Sequence, residues 1–154
     1  MGSSALPEIE TLVDRVRLKY DDECFACGRG NPMGLHLDNF SQEQSEISAE
    51  FTPRAEFRGT PTTLHGGIAA TALDEMAVWA AILTHKVIAV TGTLDLRYQQ
   101  PATMGQTFLV TARVDERRGR RLRCSSELVT SDGSIVTRAS GLYLVTEDIS
   151  ALLV

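Results

Sequence analysis

Apolar residues first recur along the chain at helical spacing. Ile9, Leu12, Val13 and Val16 fall at i, i+3, i+4 and i+7 behind Pro7, with Glu8 and Glu10 where a helix start favours acids. This predicts a short amphipathic helix over residues 8–19, within an N-terminal helical extension of residues 1–22. Residues 21–35 hold two cysteines, three glycines and a proline, the composition of a loop. The period then changes to two: apolar and polar residues alternate in Leu35-His36-Leu37-Asp38-Asn39-Phe40 and again in Glu46-Ile47-Ser48-Ala49-Glu50-Phe51. That alternation predicts a hairpin of half-buried strands with its turn in residues 41–45. Residues 66–83 are Ala-rich, apolar on nearly every side and far too long for one strand, which predicts one long, buried helix.

Four strand-like runs follow, over residues 87–98, 107–115, 122–130 and 135–145, each bounded by turn residues. Arg118-Gly119-Arg120 separates the middle pair, and Asp132-Gly133 is a preferred dipeptide of tight hairpin turns. A hairpin, one buried helix and a meander of long strands predict an α+β domain over residues 23–154. In it an antiparallel β-sheet wraps one long central helix.

With 154 residues, 43% of them hydrophobic, the chain can bury a core without disulfides or a structural metal. The longest nearly uncharged stretch, residues 59–73, is shorter than the ~20 apolar residues of a membrane span and runs into Asp74 and Glu75, so no membrane crossing is expected. The first ten residues lack a basic start and an apolar run, and three cysteines make an odd set. Reduced thiols and a cytoplasmic location are therefore expected.

The buried helix carries the candidate chemistry. At 100° per residue Asp74 shares a face with Gly67, Ala70, Thr71, Val78 and Ala81, while Glu75 points towards Ala72, Trp79 and Ile82. A carboxylate in such a helix needs a partner, a polar cavity or a shifted pKa. Glu75 is equally compatible with an exposed strip or a capping role; for Asp74 a functional role is preferred. Just before the helix, Leu64-His65-Gly66-Gly67 offers free amides at the positive end of the helix dipole, where a developing oxyanion would be stabilised. Asp74 lies eight residues beyond Gly66, about 12 Å along a helix. The two cannot meet at one reacting carbon within a chain, but antiparallel helices about a two-fold axis would bring Gly66 of one chain to Asp74 of the other.

Several motifs together resemble a known family. Cys24-Phe25-Ala26-Cys27-Gly28, Asn31-Pro32-Met33-Gly34-Leu35, Leu64-His65-Gly66-Gly67 with Leu73-Asp74-Glu75, and a strand ending Leu96-Arg97-Tyr98-Gln99-Gln100-Pro101 are similar to the hotdog-fold acyl-CoA thioesterases. Within that family the phenylacetate-pathway, 4-hydroxybenzoyl-CoA and human mitochondrial types are the nearest in pattern. The resemblance covers residues 24–145 and implies a hotdog fold, an acyl-CoA substrate and a homodimer or homotetramer. No cofactor is implied apart from coenzyme A as part of the substrate. Residue by residue, it implies that the Gly66 amide contacts the thioester carbonyl and that Asp74 is base or nucleophile. It further implies that Thr91 positions the water or the acid and that His65 shapes the loop. Gly67 and Glu75 join as substrate-binding positions, and Glu75 is an alternative acid. Some relatives carry an Asn six residues before the His; here that position is Gly59.

Two clusters remain. Cys24 and Cys27 have zinc-like spacing, but a structural site needs four ligands and only Cys124 and scattered histidines such as His36 could complete it. No metal is expected, and the pair reads as loop thiols packed against the sheet, with a redox dithiol as the lesser alternative. Arg117, Arg118, Arg120 and Arg121, with Arg113 and Arg123, form a dense basic patch on a chain of net charge −5. It reads either as a solvated turn or, through Arg118, Arg120 and Arg121, as a landing site for coenzyme A phosphates. An acidic pI of about 5.2 and the lack of interleaved aromatics argue against nucleic acid. Trp79, Met76, Ile82 and Phe57 either line an acyl channel or fill the core, and core is preferred. Beside the thioesterase reading stand a noncatalytic acyl-CoA-binding or sensing module, favoured by Gly59, and a hydroxyacyl thioester dehydratase using His65 with an acid.

Overall fold

A computed structural model describes residues 5–20 and 22–153. The first helix, α1 (Ala5–Lys19), starts before its predicted boundary, with Glu8 in its first turn and Arg17 and Lys19 in its last, matching the helix dipole. Its apolar face, Ile9, Leu12, Val13 and Val16, is buried in the same cluster as the domain core. Opposite charges meet at this junction. Arg17 is only 4% exposed, and its guanidinium bonds the carbonyls of Cys27 and Leu37 and the carboxylates of Asp22 and Asp38. The same guanidinium lies 5.5 Å over the Trp79 ring.

The alternation in residues 35–40 does not make a strand. His36 and Asn39 have φ of 56° and 55°, left-handed values that extended chain excludes. The segment instead folds back on the preceding loop through Leu35 N–H to Phe25 O and Leu37 N–H to Ala26 O, at 2.8 and 2.9 Å. Its apolar residues are buried all the same: Leu35, Leu37 and Phe40 enter the core, and Phe40 stacks on Trp79 with centroids 4.6 Å apart. The predicted turn is in fact where pairing begins, since β1 (Ser41–Glu43) pairs with β2 (Glu46–Phe51) around Gln44 and Ser45.

A small two-stranded ribbon, β3 (Arg58–Thr60) with β4 (Thr63–Leu64), then leads into α2 (Gly66–His85). After it come β5 (Val87–Tyr98), β6 (Phe108–Arg118), β7 (Arg121–Val129) and β8 (Ile135–Asp148). These four join β1 and β2 in one antiparallel six-stranded sheet of order β1-β2-β6-β7-β8-β5. The two tight turns depend on glycine: Gly119 and Gly133 have φ of 58° and 88°. The sheet wraps α2, and the fold is the expected hotdog with its short N-terminal helix. Trp79, Met76, Ile82 and Phe57 are all core.

By length and composition α2 is apolar enough to cross a membrane, but just over half of it is buried inside the fold, as in the core helix of a folded domain. Within the six-stranded sheet, the 12-residue strand β5 is an edge, paired on one side only.

Replacing Arg17 by Ala should cost about 3–5 kcal/mol in urea unfolding, because two carbonyls and two acids lose their shared partner. Arg17→Met should cost less than Arg17→Ala, since it refills the space over Trp79. Burial works against the Asp38 charge, but hydrogen bonds from Arg29 and the Asn39 amide and the charges of Arg17 and Arg29 hold its carboxyl below the usual range. Asp22 is likewise lowered, its burial outweighed by bonds from the Arg29 amide and Arg17. A lowered acid contributes stability that is complete above the ordinary carboxylate range and is lost as pH falls through the folded-state value. Acid unfolding of wild type should therefore be steeper than that of Arg17→Met, in which the two acids lose a cationic partner.

Candidate active site

The strand-to-helix junction fixes the first half of the site. Leu64 N–H bonds Ala102 O at 2.8 Å and His65 N–H bonds Phe57 O at 2.9 Å, so the entry to α2 is held from both sides. His65 is the N-cap: its backbone is extended and its Nδ1 accepts the Gly67 amide at 2.9 Å. The Gly66 amide has no acceptor among the described residues, whereas the Gly66 carbonyl accepts a 2.7 Å bond from the Tyr98 hydroxyl. A groove of about 360 Å³ opens here, lined by Gly66, Ala69, Tyr98, Pro101, Ala102 and Thr137. Of the two predicted glycines, one amide is thus taken by His65 and the other is available.

Asp74 lies two turns further along α2, partly exposed. Its Oδ1 accepts two bonds, from Thr91 Oγ1 at 2.7 Å and from Tyr143 Oη at 2.8 Å. Thr91 on β5 and Tyr143 on β8 are directly paired across the strands, so both side chains reach the helix from one face of the sheet. Burial, and then the charge and hydrogen bond of Asp74, push the Tyr143 hydroxyl well above the ordinary phenol range. Tyr143 therefore remains a donor, and Oδ2 of Asp74 is left without a donor among the described residues. Asp74 and Thr91 meet as the sequence suggested. Gly66 and Asp74 do not, being separated along one continuous helix.

Glu75 turns to a different neighbourhood. Its Oε1 lies 3.5 Å from Cys24 Sγ, in the loop that Cys27 and Gly28 close. Burial raises its carboxyl to about 7, and the Cys24 charge adds to the shift. The thiols pack against α2, not against the sheet as expected, and all three cysteines are free. Hydrogen bonding from Cys27 and from the Cys27 and Ala26 amides, opposed by burial, lowers the Cys24 thiol to about 5, while Cys27 is raised.

The arginines stand apart from this helix face. Arg118 and Arg120 flank Gly119 in the β6–β7 turn, and Arg121 and Arg123 alternate with buried Leu122 and Cys124, so they face away from the core. Glu116 pairs with Arg118 at 2.6 Å, and Arg120 Nε bonds Val145 O at 3.0 Å.

Two contributors escaped the sequence reading. Tyr143 was detectable: a phenol on the apolar face of a strand needs a buried hydrogen-bond partner. Tyr98 stood inside the quoted Leu-Arg-Tyr-Gln-Gln-Pro motif, but nothing local tied it to Gly66.

Residues 62–137 match the thioesterase superfamily. No curated protein matches the sequence. Solved structures share the fold. The Escherichia coli PaaI protein from the phenylacetic acid degradation operon has a TM-score of 0.74 at 18% identity over 91% of this chain and 96% of its own. Zebrafish thioesterase superfamily member 2 gives 0.70 at 19% identity, covering 84% and 96%. A Streptococcus mutans protein solved with acetyl-CoA bound gives 0.66 at 20% identity, covering 72% and 91%.

Alkylation of reduced, metal-free protein tests the thiol pair. Cys24 should react with iodoacetamide at a rate that rises with a midpoint near pH 5, whereas buried Cys27 and Cys124 react slowly at neutral pH. A Cys24 midpoint at the ordinary thiol value, read by mass spectrometry of the modified peptide, would refute this geometry.

Proposed function

From a chain whose residues 62–137 match the thioesterase superfamily, we propose an acyl-CoA thioesterase whose two sites are each completed across a homodimer. Water and an acyl-CoA thioester give a free acid and coenzyme A. The observation that carries this reading is the division of labour along α2: an unpaired Gly66 amide at the helix start, and an acid held by Thr91 and Tyr143 two turns on. The Gly66 amide, aided by the helix dipole, stabilises the oxyanion as the carbonyl is attacked. Asp74 of the partner subunit takes a proton from water through Oδ2, or attacks directly. In either case the thiolate of coenzyme A leaves and is protonated.

Several observations support the assembly and the substrate class. β5 offers a long unpaired edge beside Asp74, with Val90, Thr91, Gly92 and Thr93 exposed. The pairing of two such edges would bring the α2 helices together about a two-fold axis. A structural neighbour holds acetyl-CoA. Arg118, Arg120 and Arg121 then serve the nucleotide phosphates, and Gly67 and His65 hold the loop that presents Gly66.

One observation favours a binding or sensing module instead. Gly59, six residues before His65, offers no amide side chain to position water, and a Cβ there would crowd His65 Cα at 3.2 Å.

Release of free thiol from a panel of short, long and aromatic acyl-CoAs decides between them. Asp74→Asn should fold, dimerise and bind CoA ligands, yet lose at least ~100-fold in kcat. Glu75→Gln should lose much less, and Tyr143→Phe, which keeps the Thr91 bond, about tenfold. A wild type that binds acyl-CoA and turns over none of the panel establishes the sensing module, and enoyl products from a hydroxyacyl-CoA would establish a dehydratase.

The shared site also requires a stable pair of chains. Light scattering at micromolar concentration should give a dimer or a multiple of it. A fully active monomer would overturn the shared site while leaving the chemistry of Asp74 intact.

A further inference from the structure

The loop that begins at Cys24 is more constrained than a connector needs to be. Gly28 N–H closes it on Cys24 O at 2.8 Å, and a Cβ at Gly28 would lie 2.4 Å from Cys24 N, so only glycine fits after the second cysteine. The turn directs the Ala26 and Cys27 amides at the Cys24 sulfur. Opposite it, α2 delivers Glu75 from 48 residues beyond Cys27. The two sulfurs and a Glu75 oxygen all lie within 4.8 Å of one another, and Cys24 Sγ to Glu75 Oε1 is 3.5 Å. A tetrahedral zinc with Zn–S ~2.3 Å and Zn–O ~2.0 Å needs edges of roughly 3.5–3.8 Å, which these separations reach with small side-chain rotations.

We propose that Cys24, Cys27 and Glu75 bind a thiophilic divalent cation of the zinc class, joining the loop of residues 22–30 to the middle of α2. Three protein donors leave the fourth position to water on the exposed Cys24 side. The fourth protein ligand considered from the sequence is absent: Cys124 is buried on β7, and His36 Nε2 is bonded to Asn31 O within its own loop. What the sequence could not show was the third, since Glu75 is brought to the cysteines only by the fold.

A second observation points to the same place. Trp79, one turn beyond Glu75 and 2% exposed, has a buried Nε1 without a hydrogen-bond acceptor and lies against Cys27. A neutral thiol is a weak acceptor for it, and a metal-bound thiolate a stronger one. Binding is a ligand exchange without redox change. The Cys24 thiolate coordinates directly, Cys27 gives up its proton to solvent, and so does Glu75 where it carries one. The cation then compensates a carboxylate that burial otherwise disfavours as an anion.

The 154-residue chain, reduced and stripped of metal, should bind one Co2+ per chain. The spectrum should show thiolate-to-cobalt charge transfer and tetrahedral visible bands, and Zn2+ should displace the cobalt. Cys24→Ser, at an exposed position that should fold normally by circular dichroism, removes one thiolate and weakens the charge-transfer band by about half or more. Glu75→Gln keeps the thiolate band but weakens affinity about tenfold or more. Cys124→Ser changes neither. No cobalt uptake by the reduced wild type overturns the proposal, as does a spectrum without thiolate charge transfer. A spectrum unaltered by Cys24→Ser, or one abolished by Cys124→Ser, overturns it equally. None of these readouts depends on thioester turnover, so the cation site and the proposed activity stand or fall separately.

Discussion

One constraint organises the molecule: a 20-residue helix that is apolar around most of its circumference has to be covered on more sides than a single sheet can reach. The sheet covers one side. The other is sealed by α1 and by the loop of residues 22–40, whose Leu35, Leu37 and Phe40 are pressed onto the core although no strand pairing holds them there. Arg17 secures this seal. It satisfies two loop carbonyls and two loop carboxylates at once, where a hydrophobic residue would have left all four to find other partners. What remains least covered on α2 is the strip of Gly67, Ala70, Thr71, Asp74 and Val78, beside the free edge of β5. The candidate chemistry sits where burial by the chain itself is incomplete.

Two neighbouring acids on that helix meet the cost of burial in different ways. Asp74 receives two hydroxyl donors on one oxygen, an arrangement that satisfies that oxygen and fixes the direction of the carboxyl group. Glu75, one residue on and rotated about 100°, receives no such pair of donors and finds thiols instead, so its carboxyl rises to about 7 through burial and the nearby Cys24 charge. A carboxyl group with one oxygen held by two hydroxyls and the other free suits a base or nucleophile. A carboxyl at the edge of ionisation beside two sulfurs suits a ligand whose proton an incoming cation can replace. Adjacent positions with the same functional group thus differ in chemistry because a helix turns them to different surroundings.

The periodic parts of the fold were legible because each obeys a local rule. α2 begins at the predicted Gly66, and β5 has the predicted bounds of Val87 and Tyr98. Residues 35–40 show the limit of such rules. Their apolar positions correctly reported which side chains are buried, but Leu37 and Phe40 are three residues apart with exposed Asn39 between them, so burial leaves period two where left-handed His36 and Asn39 break the strand. The candidate site was legible to the same degree. Gly66, His65 and Asp74 share one short segment, so spacing alone relates them. Tyr143 lies 69 residues from Asp74 and Cys24 lies 51 from Glu75, and only sheet register or loop closure brings each pair together. Arg17 was invisible for the same reason: one cation on an amphipathic helix reads as solvated until the loop that covers it is known.

The Cys-Phe-Ala-Cys-Gly turn connects these observations. The Cys27 carbonyl is bonded to Arg17, and its sulfur reaches the α2 surface formed by Glu75 and Trp79. Through one residue the loop is therefore tied both to the buried cation of α1 and to the middle of the central helix. Glu75 precedes Met76 and Trp79 in the core and follows Asp74 directly, so any force that holds its side chain also limits rotation of α2 about its axis. Rotation is the motion Asp74 can least tolerate, because Thr91 and Tyr143 approach its Oδ1 from fixed positions on the sheet at 2.7 and 2.8 Å. The sheet side and the loop side of α2 thus grip adjacent residues from directions about 100° apart. A helix whose apolar surface would pack nearly as well at several rotations is set at one by the two polar groups it can least easily bury.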